Sequence, residues 1–539
     1  MIVRRASLNR YVITYDVGTT GIKTCIFEIA ETIKLIASAV EGYKLFIEED
    51  GGAEQDLHEM WSAMCSTTKK VVDESKIPSE KIQGISFCSQ MQGLVLVDKE
   101  GAPIRRSMSY MDQRAGQELK EGMANGIKIS GVNIFKLLKS IRISGAVAAS
   151  VKDPVWKYNW VKHKEPQNFE RIHKWLDVKE YLILKCTNNF IMTKDSAFGT
   201  MLYDIRKGKE CFSQKLCNML GVNINHLPKI VNGTDMVGGL TKKEAEQLHL
   251  AEGTPVFGGG GDASLIGVGA GAVAEGSTHI YSGTSGWVST VVKKRVLDIS
   301  SMIASIVGAD DRYYNYFAEL ETASKCIEWV KNHLALDEIN IYLQKICVSD
   351  SMESIYANLY DFMMDEIKNV PAGSHGVIFT PWLHGNRCPF EDPNARGTFF
   401  NIHLDTGKRD LIHAVIEGIC YHLRWQLEAQ QKKIKTSKVI RFVGGGALAP
   451  LTCQTISDII GCEIETVDSP QNVGALGAAV IVAVGLGVLD KIEDAGKMIK
   501  VKEKYYPNPE NKAVHDRNFK VYKNLYQNNK KSFSILNKM

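Results

Sequence analysis

Asp16-Val-Gly-Thr-Thr-Gly-Ile-Lys23 follows an apolar run, Tyr11–Tyr15, near the N-terminus. A second phrase of the same kind, Ser282-Gly-Thr-Ser-Gly-Trp287, follows His279-Ile280-Tyr281. Each pattern predicts a strand, a tight turn and a second strand. The two phrases lie about half a chain apart in a protein of 539 residues. This repetition of one pattern about half a chain apart predicts two similar domains.

The turns of these phrases are rich in hydrogen-bond donors. Glycine lets backbone N–H groups approach a ligand closely, and Thr and Ser add hydroxyl donors. A concave cluster of such donors suits phosphate oxygens. The predicted phosphate-binding residues are Gly18, Thr19 and Thr20 in the first turn and Gly283, Thr284 and Ser285 in the second. The alternative for the first phrase is an ordinary hairpin in which Asp16 only forms the turn.

Two charged residues flank the first turn. The Asp16 carboxylate, at the end of a strand, could hold Mg²⁺ through water beside a nucleotide. Lys23 places a cation just after the turn. We therefore predict Asp16 as a metal-binding residue, and both residues as part of a nucleotide site.

Composition excludes several functional classes. The apolar fraction of 44% and the charged fraction of 23% are typical of a globular protein. The net charge is only +4, without a basic block, so no nucleic-acid partner is predicted. Twelve cysteines include no Cys-x-x-Cys pair, which argues against a zinc ribbon and a dithiol motif and fits a reducing cytoplasm. No signal peptide is visible, and cytoplasmic localisation is expected.

Several segments predict individual elements. Residues 473–489 carry no charge but are short for a membrane span of about 20 residues. We therefore predict a buried helix there and no membrane partner. Apolar residues at four-residue spacing predict a long helix from Lys408 to about Gln430. An amphipathic helix is predicted over Leu320–Leu334, and the polar tail after Lys500 is predicted to fray.

Two glycine runs stand at strand ends. In Gly258-Gly-Gly-Gly261-Asp262, the Asp262 carboxylate could accept a proton from a substrate hydroxyl, or it could simply cap the next helix. Gly444-Gly-Gly-Ala447 follows a strand and precedes a helix. That arrangement suits a flat ring or a phosphate, although tight packing is the alternative. No Walker A motif, hydrolase elbow or His-x-x-x-His spacing is present, and Gly-x-Gly-x-x-Gly is absent from any dinucleotide-type unit.

The order and spacing of these segments resemble the FGGY family of carbohydrate kinases, most closely its xylulokinase-like members. The resemblance covers roughly Tyr11 to Gly487. Besides the phrases above, it is carried by Gln90-Met-Gln-Gly93, Asp112-Gln-Arg114, Lys157-Tyr-Asn-Trp160, Asp392-Pro-Asn-Ala-Arg-Gly397 and Glu417-Gly418.

The resemblance implies an α/β fold with two ribonuclease-H-like domains around a central cleft, as in the actin/hexokinase/Hsp70 superfold. Residues 1–271 would form the N-terminal domain, which binds the sugar and carries the catalytic base. Residues 272–539 would form the C-terminal domain, which binds ATP. Closure of the cleft would bring the two substrates together.

The resemblance also assigns roles to residues. Asp262 would be the catalytic base, and the Thr19–Thr20 turn would lie near the transferred phosphoryl group. Thr284 and Ser285 would hold the nucleotide phosphates. Gly445 and Gly446, within the segment Gly444–Ala447, would flank the adenosine. The predicted sugar-contacting residues are Met91, Gln92, Asp112 and Asp262.

The sugar pocket departs from the xylulokinase pattern at three positions. Gln92 replaces the usual His, Tyr110-Met111 replaces Trp-Asn before Asp112, and Ala263 replaces the Asn after the base. Hydrogen bonds to sugar hydroxyls discriminate strongly between substrates. The predicted function is therefore ATP- and Mg²⁺-dependent phosphorylation of a small sugar or polyol, with a ketopentose favoured over another polyol, ketose or aldonate.

Two other classes remain as alternatives. A non-enzymatic, nucleotide-gated protein of the same superfold would share the two turns but would need no base at Asp262. A nicotinamide oxidoreductase is suggested only by scattered glycines. The sequence leaves the oligomeric state open, with a homodimer as one alternative.

Overall fold

The computed structural model describes residues 10–129, 131–335 and 359–537. Contacts divide the chain into two compact units. Unit 1 comprises Met1–Val273, Ile306–Tyr314 and Asn472–Ile499, and unit 2 comprises Ala274–Ser305, Asn315–Gln471 and Lys500–Met539. The predicted boundary between residues 271 and 272 lies close to the first change of unit. Two later segments, 306–314 and 472–499, also belong to unit 1. The repeated sequence pattern did not predict that the chain returns to unit 1.

Unit 1 is built on a seven-stranded mixed sheet. Its strands are β1 (Arg10–Val17), β2 (Gly21–Ile29), β3 (Ile33–Gly42), β4 (Ile82–Ser89), β5 (Met236–Gly239), β6 (Pro255–Phe257) and β7 (Gly260–Gly261). The order is β5-β6-β4-β1-β2-β3, with β7 beside β4. The first three strands form an antiparallel meander, while β1, β6 and β7 run parallel to β4.

Unit 2 is built on an eight-stranded mixed sheet. Its strands are β8 (Thr278–Ser282), β9 (Gly286–Val292), β10 (Leu297–Asp298), β11 (Ile303–Val307), β12 (Tyr314–Leu320), β13 (Val439–Val443), β14 (Glu463–Val467) and β15 (Val501–Tyr505). The order is β10-β11-β12-β9-β8-β13-β14-β15. The β8–β9 hairpin is antiparallel, β13 runs parallel to β8 and β14, and β15 is antiparallel to β14.

The described part of the chain also contains α-helices. They are α1 (Leu57–Ser75), α2 (Gly116–Met123), α3 (Ile134–Ile143), α4 (Pro154–Lys164), α5 (Pro166–Glu170), α6 (Val178–Thr187), α7 (Lys194–Gly199), α8 (Gln214–Leu220), α9 (Lys242–Leu248), α10 (Asp262–Gly269), α11 (Ser324–Val330), α12 (Leu359–Ile367), α13 (Lys408–Gln431), α14 (Pro450–Ile460), α15 (Val473–Gly485), α16 (Ala495–Met498) and α17 (Lys512–Asn537). A π-helical turn, Lys331–Ala335, follows α11.

Short strands form small additional sheets. Those of unit 1 are Leu45–Ile47 with Ala53–Gln55 and Ser107–Met108, Val95–Val97 with Lys174–Leu176, Lys128–Ile129 with Val132–Asn133, Ile191–Thr193 with Lys229–Val231, and Tyr203–Asp204 with Cys211–Phe212. Unit 2 has Ile378–Thr380 with Thr398–Phe400. Short 3₁₀ turns span Ser79–Lys81, Ile224–His226, Ser374–Gly376, Gly445–Leu448, Pro470–Asn472, Ile492–Asp494 and Pro509–Asn511.

The two sheets share one plan. Each sheet contains an antiparallel hairpin, β1–β2 or β8–β9. The first strand of the hairpin also pairs with a parallel strand, which is β4 in unit 1 and β13 in unit 2. The next strand is again parallel, β6 in unit 1 and β14 in unit 2. The edge strand beyond it is antiparallel, β5 in unit 1 and β15 in unit 2. The two hairpins predicted from the sequence therefore occupy equivalent positions, and the expected duplication is confirmed.

The uncharged segment at residues 473–489 contains α15, which is buried along most of its length. It packs over β1, β2 and β4. Gly84 of β4 makes this approach possible, because a Cβ there would lie 2.5 Å from Val482 Cγ1. The prediction of a buried helix is confirmed. Within the described ranges, no helix is long and apolar enough to cross a membrane.

Two predicted elements differ from the structure. The tail after Lys500 does not fray but forms β15 and α17. Phe519, Tyr522 and Leu525 of α17 recur at three-residue spacing and are buried in the core of unit 2. The many polar residues between them made this apolar pattern difficult to recognise in the sequence. The helix predicted over Leu320–Leu334 begins only at Ser324, because Leu320 ends strand β12.

Buried histidines in unit 2 predict a loss of stability in mild acid. Burial lowers the pKa of His279 to about 3 and those of His413, His422 and His515 to about 4. The unfolded chain, with histidine pKa values near 6.5, takes up these protons first as the pH falls from about 6.5 towards 4. At pH 5, each histidine therefore costs about 2 kcal/mol of folding free energy.

Three carboxyl groups oppose this trend. Burial raises the pKa of Glu417 and of Asp177 to about 7 and also raises that of Asp16, so their protonation favours the folded state as the pH falls from about 7 to 4.5. Burial also lowers the pKa values of two histidines in unit 1, so with six histidines against three carboxyl groups we expect the urea midpoint of unfolding to fall between pH 7 and pH 5. A His58→Gln variant, which changes an exposed side chain, should keep the same dependence. A midpoint equal at both pH values would contradict the prediction.

Candidate functional site

In unit 1, three predicted site segments meet at one edge of the sheet. Asp16 of β1 and Gly260 of β7 are both register partners of Cys88 in β4. The turn after β1, the Gln90–Gly93 segment after β4 and Asp262 after β7 therefore all start from the carboxyl ends of neighbouring parallel strands. Such ends are where ligands bind in α/β sheets. The structure brings Asp16, the Thr19–Thr20 turn, Met91, Gln92 and Asp262 to this edge.

Asp262 is the first residue of α10, at the end of a strand without side chains. The Ala263 N–H donates to Asp262 Oδ1 at 2.7 Å. The amide groups of a helix N-terminus favour an ionised carboxylate. Asp262 is only partly buried, so it combines a fixed position with access for a ligand.

A buried carboxylate holds the strand that leads to Asp262. Asp195 Oδ2 accepts a hydrogen bond from the Gly261 N–H at 2.7 Å. Three residues before Gly261, Lys179 Nζ donates to the Gly258 carbonyl at 3.3 Å. Because a glycine strand cannot be positioned by its own side chains, these bonds fix its course.

Met91 lies next to Asp262, and Gln92 follows it in the chain. A Cβ at Gly261 would be 2.2 Å from Met91 Sδ, so the Met91 side chain packs directly on the residue before Asp262. Gln92 has a φ of 64°, in the left-handed region that residues other than glycine rarely adopt. Both side chains are partly exposed. Their position beside Asp262 fits the predicted contact with a sugar.

The Thr19–Thr20 turn is tied to the surrounding segments. Gln55 Nε2 donates to the Thr19 carbonyl at 2.6 Å, and Gln90 Nε2 donates to Gln55 Oε1 at 2.9 Å. The Thr19 hydroxyl donates to the Tyr110 hydroxyl at 3.3 Å. The predicted phosphate turn is thus connected to two of the three segments that carry predicted sugar-contacting residues.

Asp16 has mixed electrostatic surroundings. Burial raises the pKa of its carboxyl, while Lys23 and a hydrogen bond with Cys88 lower it. Gly474, in the first turn of α15, adjoins it, since a Cβ there would lie 2.9 Å from Asp16 Oδ2. Among the described residues, no group of three or more acidic, His or Cys side chains could cage a metal ion. A single carboxylate fits Mg²⁺ that arrives on nucleotide phosphates and keeps most of its water.

Asp112 is placed differently from the other predicted sugar contacts. Its side chain is 0% exposed. Asp112 Oδ2 accepts from the Ala53 N–H at 3.0 Å and from Arg114 Nη2 at 2.7 Å. Arg114 also donates to Asp112 Oδ1 through its backbone N–H at 3.2 Å. In this conformation both carboxylate oxygens bind groups of the protein itself, and the sugar contact of Asp112 stays a prediction.

In unit 2, the two predicted nucleotide segments are neighbours. The turn Gly283–Ser285 follows β8 and the run Gly444–Ala447 follows β13, and these strands pair in parallel with Tyr281 opposite Val443. A Cβ at Gly446 would lie 2.8 Å from Ser282 Oγ. Gly444 has a φ of 95°, which glycine alone adopts readily. The structure therefore brings these segments together within unit 2.

Each of the two segments of this site has an exposed position. The Ser324 N–H donates to the Gly283 carbonyl at 2.8 Å and braces the turn, while Thr284 is exposed. Gly445 is exposed, and no atom lies within 4 Å of a Cβ built there. The face of Gly445 is thus open to a ligand, whereas that of Gly446 is filled by Ser282.

Sequence reasoning missed several residues that support the site. The sequence pattern assigns no role to Asp195 or Asp177, and Lys157 belongs to a motif that assigns it none. Their roles depend on hydrogen bonds to distant backbone groups, which no local pattern reveals. One available signal was a lysine between the aromatic residues Trp156 and Tyr158 on a buried helix.

Comparison with known families covers most of the chain. The family model described as the FGGY family of carbohydrate kinases, N-terminal domain, matches residues 11–269. The model of the C-terminal domain of the same family matches residues 279–486.

Individual relatives are more distant. The chain is 26% identical to a xylulose kinase of Bacillus subtilis over 97% of each chain, and 24% identical to a gluconokinase of Bacillus subtilis over 91% of each chain. Among solved structures, a ligand-bound xylulose kinase from Lactobacillus acidophilus is similar with a TM-score of 0.82 at 25% identity, covering 98% of this chain and 100% of that one. A gluconate kinase from the same organism gives the same TM-score at 24% identity and the same coverage. The fold is thus of the actin/hexokinase type.

Proposed function

Because this chain belongs to the FGGY family of carbohydrate kinases, and is therefore a kinase that acts on sugar, we propose that it transfers the γ-phosphate of ATP to a hydroxyl group of a ketopentose. The observation that carries the proposal is the meeting of Asp262, Asp16 and the Met91–Gln92 turn at one edge of the unit 1 sheet. At this edge, Asp262 supplies a base, Asp16 binds the cation that accompanies the phosphates, and Gln92 supplies a polar group toward the sugar.

Asp262 is the general base in this proposal. The Ala263 N–H fixes Asp262 Oδ1, and the carboxylate accepts the proton of the attacking hydroxyl as the oxygen–phosphorus bond forms and the bond to ADP breaks. Positioning and electrostatics supply most of the rate in phosphoryl transfer.

The phosphates are bound by the two donor-rich turns. Thr19 and Thr20 contact the transferred group, and Thr284 and Ser285 contact the remaining phosphates. Asp16 would hold Mg²⁺ through water, and the ion when bound would neutralise charge on the phosphates. Lys23, the register partner of Asp16, adds a further positive charge near the turn.

The substrate class rests on the relatives and on the pocket. Xylulose kinases match over nearly the full length, which favours a ketopentose. An aldonate is the second candidate, because gluconokinases of similar identity also match most of the chain. Gln92 offers an amide where an imidazole is usual in xylulokinases, so the hydrogen-bond pattern toward sugar hydroxyls differs.

A substrate panel tests this proposal. The full chain, with ATP and Mg²⁺, is assayed for ADP release with pentuloses, hexuloses, tetritols and aldonates. We expect one ketopentose to exceed the other sugars in kcat/KM by at least about 100-fold, since unpaired polar groups in a built site are heavily penalised. Best turnover with gluconate would transfer the assignment to the aldonate class. ADP release that no sugar increases would contradict kinase activity on all of them.

The nucleotide site predicts the effect of a side chain at Gly445. Gly445→Leu should weaken ADP affinity by at least about tenfold, a change of about 1.4 kcal/mol, by filling the space assigned to the adenosine. Folding should be unaffected, because no atom lies within 4 Å of a Cβ at this position. Calorimetric titration with ADP measures the affinity.

The matched control is Gly116→Leu, which also places a side chain in open space but lies outside both nucleotide segments. It should bind ADP as the wild type does. Equal ADP affinity in the Gly445→Leu variant would remove the Gly444–Ala447 run from the adenosine site.

A further inference from the structure

Lys157 is a buried cation that binds two backbone carbonyls. It lies on α4, its side chain is 0% exposed, and its neighbours Val155, Trp156 and Tyr158 belong to the apolar core. Lys157 Nζ donates to the Gln92 carbonyl at 2.7 Å and to the Ser109 carbonyl at 2.8 Å. Burial lowers the pKa of Lys157 to about 8, with Asp112, Asp177 and Asp153 opposing the shift.

Burying an ammonium group is costly, and an apolar side chain at this position would avoid the cost. Packing of α4 therefore does not explain a lysine. What the lysine adds is a pair of charge-assisted hydrogen bonds to two distant segments. One segment contains Gln92, and the other leads from Ser109 directly into Tyr110.

Asp177 binds the other end of the same peptide group. The Gly93 N–H donates to Asp177 Oδ1 at 3.1 Å, and this oxygen also caps α6 by accepting from the Val178 N–H at 2.8 Å. Asp177 is 5% exposed. A Cβ at Gly93 would lie 2.5 Å from Asp177 Oδ1, so glycine is needed for this approach.

The Gln92–Gly93 peptide is thus held at its carbonyl by a cation and at its N–H by a carboxylate. Gln92 has a φ of 64°, a conformation that costs energy for glutamine. These two hydrogen bonds fix the plane of the peptide and hold this conformation. The direction of the Gln92 side chain, and the position of Met91 against Gly261, depend on it.

We propose that Lys157 and Asp177 form a clamp on the Gln92–Gly93 peptide and act as positioning residues that set the affinity of the enzyme for its sugar. The proposal rests on the proposed function, because it places the Met91–Gln92 turn in the sugar pocket. Neither residue touches the reacting atoms. Their effect is on where Gln92 and Met91 lie.

The test is the Lys157→Met variant, which keeps the length of the side chain but removes its donors. We expect the KM for the sugar to rise at least tenfold, while the Kd for ADP and the kcat at saturating sugar change less than threefold. Asp177→Asn, which keeps an acceptor for the Gly93 N–H, should show a smaller rise than Asp177→Leu. The double variant Lys157→Met/Asp177→Leu should be little worse than the worse single variant, because both act on one peptide.

Glu118→Gln is the matched control. Glu118 is another buried carboxylate of unit 1, paired with His163, and its neutralisation should leave the sugar KM unchanged. If Lys157→Met does not fold, Lys157→Gln, which retains an N–H donor, replaces it and should show a smaller rise in KM.

Three outcomes would overturn the proposal. A normal sugar KM in a folded Lys157→Met enzyme, with wild-type turnover intact, would overturn the clamp alone. Parallel losses of ADP affinity, kcat and melting temperature would show a merely structural role. A wild-type enzyme that phosphorylates no sugar would overturn the proposed function and the clamp with it.

Discussion

Replacing Asp262 with Asn should lower kcat for sugar phosphorylation by about 10²–10⁴-fold, the usual contribution of a positioned general base. The amide has nearly the same shape, and its oxygen can still accept the Ala263 N–H that now bonds Asp262 Oδ1. It cannot, however, accept the proton of the sugar hydroxyl. ADP affinity should be unchanged, because the predicted adenosine-binding segments lie in unit 2.

Steady-state turnover and calorimetry with ADP measure both quantities on the same protein. Asp56→Asn is the matched control, since Asp56 is the N-cap of α1 and Asn caps a helix equally well. Its turnover should equal that of the wild type. An Asp262→Asn enzyme within a factor of about three of wild type would remove Asp262 from the role of base.

A side chain at Gly477 should destabilise unit 1 severely. Helices α10 and α15 touch through two glycines: a Cβ at Gly477 would lie 2.3 Å from the Leu265 carbonyl oxygen, and one at Gly269 would lie 1.9 Å from the Val473 carbonyl oxygen. Backbone atoms cannot move aside as side chains do. We expect Gly477→Val to cost at least about 3 kcal/mol, the upper part of the range for overpacked cores.

Activity should fall with stability in this variant. The contact joins the helix that begins with Asp262 to the helix whose first turn adjoins Asp16. Urea unfolding at constant pH measures the free energy. Gly116→Ala, at the start of α2 with no atom within 4 Å, should be neutral or slightly stabilising, because alanine favours helix. A Gly477→Val protein as stable as wild type would show that the two helices can separate without cost.

The sequence predicted the elements whose signals are local. The two hairpins, α13 and the buried helix α15 follow from turn residues and apolar spacing, which act within one element. The convergence of Asp262 with the first turn was also within reach, because glycine-rich strand ends at carboxyl edges meet in α/β sheets. These features specify the fold class and most of the candidate site.

The features that were missed depend on distant partners. The motif around Asp112 did not reveal that Arg114 and the Ala53 N–H bind its carboxylate. Lys157 and Asp177 gain their roles from a peptide that is remote in sequence from both. No spacing rule links a helical lysine to the carbonyl of Gln92, so only the three-dimensional arrangement reveals the connection.

The late position of α15 in the chain affects how this protein is made. A ribosome must pass residue 485 of 539 before the helix that covers β1, β2 and β4 exists. Until then, the apolar face that α15 covers on these strands is exposed and can associate with other apolar surfaces. Residues 1–271 produced alone would have the same defect, so dissection of this enzyme into halves should supply residues 472–499 to the first half, by fusion or as a co-expressed peptide.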